Sequence, residues 1–116
     1  MEDFNFADYI TEMRPFLKSS DFNIDDLLIL QIDNVRTQVI NDKEKVIFDG
    51  HLLQVNDYDV EKEISFVLNA TNLHTLIKNY GFKKASEIVH RKLKIRVGTT
   101  SFGNKTVNTF LIVGVE

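Results

Sequence analysis

Near its end the chain reads RKLKIRVGTTSFGNKTVNTFLIVGVE, with Lys92, Lys94 and Arg96 alternating with Leu93, Ile95 and Val97. Successive side chains of a strand point to opposite faces, so this spacing sets three cations on one face and three apolar side chains on the other. Such a row can hold a line of phosphates, and single-strand binders join a basic track to aromatic platforms for bases. Lys105 at the following hairpin, Lys43 and Lys45 in the first turn, and Lys62 and Arg36 are further cations for the same surface. The candidate platforms are Phe102 at a hairpin tip, Tyr58 in a polar loop and Phe48 on a strand. Phe66 shares its phase with Ile64 and Leu68, which directs it to the core.

Other chemistry has weaker support. His51, His74 and His90 are far apart and form no HExxH spacing. Asp57, Asp59, Glu61 and Glu63 alternate as paired carboxylates or oxygen ligands would, but a solvated loop and strand edge accounts for them more simply. No glycine-rich phosphate loop and no serine elbow occurs, and the absence of cysteine excludes thiol catalysis, disulfides and thiolate zinc sites. The expectation is a binding protein that is not an enzyme and uses no cofactor or metal.

A length of 116 residues fits one domain, and 43% hydrophobic content is enough for a core. The net charge of −3 conceals an asymmetry. Residues 1–69 hold six Lys/Arg against fifteen Asp/Glu, a balance of −9, whereas residues 70–116 hold eight against two, a balance of +6. Asymmetry of this kind points to nucleic-acid or membrane contact, or to attraction between the two halves within the fold. There is no apolar run of transmembrane length, and the acidic start MEDFNFADYI lacks signal-peptide order. The expected location is cytoplasmic, without membrane contact.

The elements that must position these residues follow from periodicity. Phe6, Tyr9, Ile10 and Met13 lie at helical spacing, and Pro15 stops or kinks that helix. Residues 27–40 read as a long strand and 46–55 as a second, with Gly50 at a bulge or bend. NDYDVEK reads as a loop and EISFVLNA as a third strand. A helix follows, with Thr71 as N-cap, Leu73, Leu76 and Ile77 as its stripe, and Gly81 as its stop. FKKASEIVH reads as a further helical turn. Strands over 92–99 and 105–115 flank a tip at TSFGN, where Gly103 supplies positive φ. The order β-β-β-α-β-β is that of the OB-fold, a five-stranded Greek-key barrel, and a mixed α+β sheet would share it. The expected organisation is an N-terminal helical segment over 1–20 and an OB-fold domain over 21–116. In such a barrel the first turn and the last hairpin flank one groove, so that distant cations would converge.

The stretch FVLNATNLHTLIKNYGF…KLKIRVGTTSFGNKTVNTFLIVGVE resembles a family of small phage-encoded proteins. The shared pattern is a strand ending in Leu-Asn-x-Thr-Asn, a short helix running into Tyr-Gly, then a strand and a hairpin. Leu68, Asn69, Thr71, Asn72, Tyr80 and Gly81 carry it here, with SSDFNIDDLLILQIDNV as a looser match upstream, so that coverage is roughly 20–116. The chain departs from some members in having EIVHRKLK where they carry a Trp-Ile-Gly-Lys-like run. It also closes on LIVGVE, without the acidic Pro-Phe-ended tail of bacterial single-strand-binding proteins. The resemblance, to the small OB-fold proteins of lactococcal siphophages, implies sequence-independent binding of single-stranded DNA in phage replication and recombination inside the infected host cell. It makes single-stranded DNA and phage replication or recombination proteins the expected partners, while the apolar stripe Phe6–Tyr9–Ile10–Met13 either closes one end of its own barrel or packs on a second copy in a homodimer. The alternative is a protein–protein module, a phage adaptor or inhibitor, on the same barrel.

Overall fold

The structure is a computed structural model that describes residues 14–116. The predicted helix over residues 1–13 lies outside the described residues. Strands β1 (Leu27–Ile40), β2 (Lys43–Val55) and β3 (Tyr58–Val67) precede the one α-helix among the described residues, α1 (Ala70–Lys78). β4 (Lys92–Phe102) and β5 (Lys105–Val115) follow it. The described residues are mostly β, and their five strands form one antiparallel sheet in the order β3-β2-β1-β4-β5. No helix among the described residues is long and apolar enough to cross a membrane.

β1 organises the sheet because it is long enough to pair with both β2 and β4. Asp33 is an extra residue between the Ile32↔Gly50 and Asn34↔Asp49 pairs, and this bulge bends β1. Gly50 answers the bulge, since a Cβ there would lie 1.8 Å from the Gln31 carbonyl oxygen. β3 and β5 are opposite edges of the sheet, four strand spacings or about 19 Å apart if it were flat. Yet the Phe66 ring on β3 and the Phe110 ring on β5 have centroids only 5.5 Å apart. The sheet is therefore strongly curled around its apolar face, although no ladder joins its two edges.

Inside the curl lie Leu28, Leu30 and Ile32 of β1, Phe48 and Leu52 of β2, and Ile64 and Phe66 of β3. Leu93, Ile95, Val97, Phe110 and Ile112 of β4 and β5 complete the wall, and Leu76 of α1 and Ile88 join the same core. Residues 15–22 span the gap between the edges. The Ser65 N–H of β3 donates to the Pro15 carbonyl and the Leu17 N–H donates to the Ser65 carbonyl. Farther along, the Ser19 hydroxyl donates to the Asn108 carbonyl of β5, and the Asn108 side-chain amide donates to the Phe22 carbonyl. Leu17 and Phe22 pack on the core, so residues before the expected boundary at 20/21 already belong to this layer.

Several boundaries differ from expectation. β3 begins at Tyr58, so most of NDYDVEK is strand. Asn56 and Asp57 both take positive φ, at 49° and 70°, as the two-residue type I′ turn requires, and that turn starts the ladder at once. Asn41 and Asp42 do the same between β1 and β2, which adds Lys43 to Lys45 to the second strand. β4 runs on to Phe102, leaving only Gly103 and Asn104 as the connection. FKKASEIVH holds only a 3-10 turn at Ala85–Glu87. The helix is capped by Asn69, whose side-chain oxygen accepts from the Asn72 N–H at 2.8 Å; Thr71 is already helical. Gly81, at φ 73°, ends the helix as expected.

The corrected cap has a measurable consequence. Asn69→Ala is expected to cost about 0.5–2 kcal/mol in chemical denaturation, whereas Thr71→Ala should stay within about 0.5 kcal/mol of the parent. A larger loss at Thr71 than at Asn69 would contradict this helix start.

Candidate nucleic-acid interface

β4 realises the alternation read from its sequence. Leu93, Ile95 and Val97 are fully buried, while Lys92, Lys94 and Arg96 are exposed on the outer face. They stand opposite Gln31, Ile29 and Leu27 of β1. Each cation is two residue steps from the next, about 6.6 Å along the strand. Arg96 lies 3.2 Å from the exposed Asp25 carboxylate, and such a solvent-facing pair is worth about 0–1 kcal/mol. Lys92 and Lys94 have no ion-pair partner among the described residues.

β1 pairs with β4 through Arg96 and the backbone of Val97 bonds to Asp25 and Asp26, so from Gly98 onward β4 pairs with β5 alone as a ribbon projecting past the start of β1. Phe102 and Lys105 face each other at its tip, and the Phe102 ring is 79% exposed. Gly103, at φ 62°, makes the two-residue connection possible. Thr99, Thr100, Ser101 and Thr106 are also exposed on this ribbon and add hydroxyl donors that the sequence reading did not single out. Groups of this kind position phosphates without reading bases. Tyr58, 78% exposed, begins β3 and pairs with Val55, which in turn pairs with Leu28. It therefore stands at the same end of β1 as the ribbon.

Other expected site residues are placed elsewhere. Lys43 and Lys45 pair with Ile40 and Gln38 at the far end of β1. From Gln38 back to Gln31, opposite Lys92, is seven residues of strand, about 23 Å. The long β1 thus keeps the first turn away from the cation row, and the expected convergence does not occur. Lys62 lies on the edge strand β3 beside a cleft it shares with Phe16, Leu17 and Val60. Phe48 is buried, with its ring 6.5 Å from Phe66, so it is a core residue and cannot serve as a platform.

Arg36 is already engaged. Its Nε donates to Asp49 Oδ2 at 2.8 Å, while the Ser65 hydroxyl donates to Asp49 Oδ1 at 2.6 Å. Burial alone would raise the Asp49 carboxyl. The hydrogen bonds from Ser65 and Arg36, the Arg36 charge and Asn34 outweigh burial and hold it below the usual carboxylate value. Beside this group His51 Nδ1 lies 2.7 Å from Asp33, and Arg14 lies 3.8 Å from both Asp33 and Glu63. Glu63, read as a solvated loop-edge carboxylate, thus belongs to a four-residue polar cluster with Arg14, Asp33 and His51 on the outer face. Among the described residues no group of three or more His, Asp or Glu is arranged to hold a metal ion.

The charge asymmetry of the sequence also has a spatial form. The carboxylates of residues 57–63 lie on or next to β3, and two of them, Asp59 and Glu61, line one cleft together with Lys92 and Glu116. Their charge therefore bears most on Lys92 at the start of the row, whereas Lys94 and Arg96 stand outside that cleft. No protein-family model, curated protein or solved structure matches this chain.

Proposed function

We propose that this chain binds single-stranded DNA without sequence preference, through the outer face of β4 and the projecting β4–β5 ribbon, and performs no catalysis. The observation that carries the reading is the exposed row Lys92–Lys94–Arg96 backed by a fully buried apolar face. The strand order, the helix between β3 and β4, and the curl that brings Phe66 to Phe110 support an OB-fold, whose barrel is commonly only partly closed. The phage family named above makes the same reading of the sequence, with replication or recombination as the setting.

Phosphates would lie along the β4 row and the ribbon hydroxyls, with bases stacked on Phe102 and, at the same end, on Tyr58. One stacked base is worth roughly 1–3 kcal/mol, so Phe102→Ala should weaken oligo-dT binding by about 5- to 150-fold. Its melting temperature should hardly change, because an exposed ring leaves no cavity. Phe102→Tyr keeps the π-face and should bind like the parent. Fluorescence anisotropy and thermal melting on the same samples test this. An alanine variant that melts early yet binds normally while folded would remove Phe102 from the interface.

A further inference from the structure

A second surface lies on the inner side of β1 and β2, away from the β4 row. A cleft of about 340 Å³ opens there between the two strands, α1 and residues 82–88. That is the size range of a specific ligand site, about 300–1,000 Å³. Val35, Val46, Leu73 and Phe82 give it apolar walls, and Lys83 and Lys84 stand at its rim. The Arg91 guanidinium sits 5.2 Å from the centre of the Phe82 ring and adds to the positive side. An occupant suited to these walls is a segment carrying large apolar side chains together with carboxylates.

The chain contains one such segment. Residues 2–13 hold Glu2, Asp3, Asp8 and Glu12 without any Lys or Arg, together with Phe6, Tyr9, Ile10 and Met13 at helical spacing. Where this segment joins the described structure decides whose cleft it fits. Arg14 donates to the Gly50 carbonyl at 3.3 Å and lies beside Asp33 and Glu63, on the outer face of the sheet. The cleft is on the inner face, so a chain entering its own cleft would have to pass around the β1–β2 hairpin. A second copy has no such obstacle.

We propose that residues 2–13 of one copy dock, apolar side inward and carboxylates toward Lys83 and Lys84, in this cleft of a second copy. The exchange is reciprocal, so two clefts are filled per pair and assembly closes at a dimer. Sedimentation equilibrium of the full chain should show a reversible monomer–dimer equilibrium. Lys83→Glu with Lys84→Glu should raise its dissociation constant at least tenfold while leaving the melting curve of the monomer in place. Asp8→Lys with Glu12→Lys should do the same, and combining both pairs should restore dimerisation to within about threefold. A photo-reactive phenylalanine in place of Tyr9, in a mixture of chains of two masses, should cross-link between chains to residues 35–46 or 73–84. A chain that is monomeric at all concentrations, a dimer indifferent to Lys83 and Lys84, a combination that fails to restore it, or cross-links confined to one chain would each overturn the proposal.

Discussion

Phe66→Ala is expected to cost about 3–5 kcal/mol of stability, the usual loss when a buried phenylalanine is truncated. Phe66 is 1% exposed, and its ring lies between Phe48 of β2 and Phe110 of β5. Phe110 in turn meets Phe22 edge-on at 6.0 Å, so one line of rings joins β2, β3, β5 and the segment before β1. The two sheet edges have no ladder between them, and the Phe66–Phe110 contact in this line joins them directly. Truncation would open a cavity in the line of rings that joins the two edges, against a typical total stability of only about 5–15 kcal/mol. Urea denaturation should show the midpoint falling sharply, with Phe66→Leu losing much less. A loss under about 1 kcal/mol would mean that the curl is held by something other than these rings.

The parts of the fold that were legible in the sequence are those where one rule acts without competition. β1 and β5 have the bounds read from their β-branched runs, and β4 has the alternation of Lys92 to Val97. Gly81 ends the helix because little else accepts its backbone angle. The start of β3 was not legible, because Asp57 to Glu63 is too polar to resemble a strand. It is one because the Asn56–Asp57 turn fixes the ladder, and an edge strand tolerates charge on its open side. Asn69 and Thr71 can both cap a helix, and residue types alone do not choose between them. The candidate site was legible along β4, where the cations share one strand. It was not legible where strands had to converge, since the length of β1, rather than any motif, separates Lys43 and Lys45 from Lys92. Nor does spacing reveal that Asp49 engages Arg36 from a neighbouring strand.

The largest effect on function is expected from reversing the β4 row. Lys92→Glu, Lys94→Glu and Arg96→Glu together replace the three cations of the proposed phosphate track by three carboxylates on the same face. All three side chains are exposed, and the Arg96–Asp25 pair that would be lost is solvated, so melting should stay close to that of the parent. Binding should not. Each phosphate held on single-stranded DNA contributes a log–log salt slope of about −0.7. Three or four contacts, counting Lys105, therefore give a slope of about −2 to −3.

An anisotropy titration of labelled oligo-dT at 50 and 200 mM salt, on the parent chain and on this triple variant, tests the central claim most directly. The parent should bind at 50 mM and lose roughly 20- to 50-fold in affinity at 200 mM, as that slope requires. The variant, folded and melting normally, should bind at least 100-fold more weakly at 50 mM. Equal affinity of the two chains at low salt, or no binding by the parent at either salt, would contradict a phosphate track on β4.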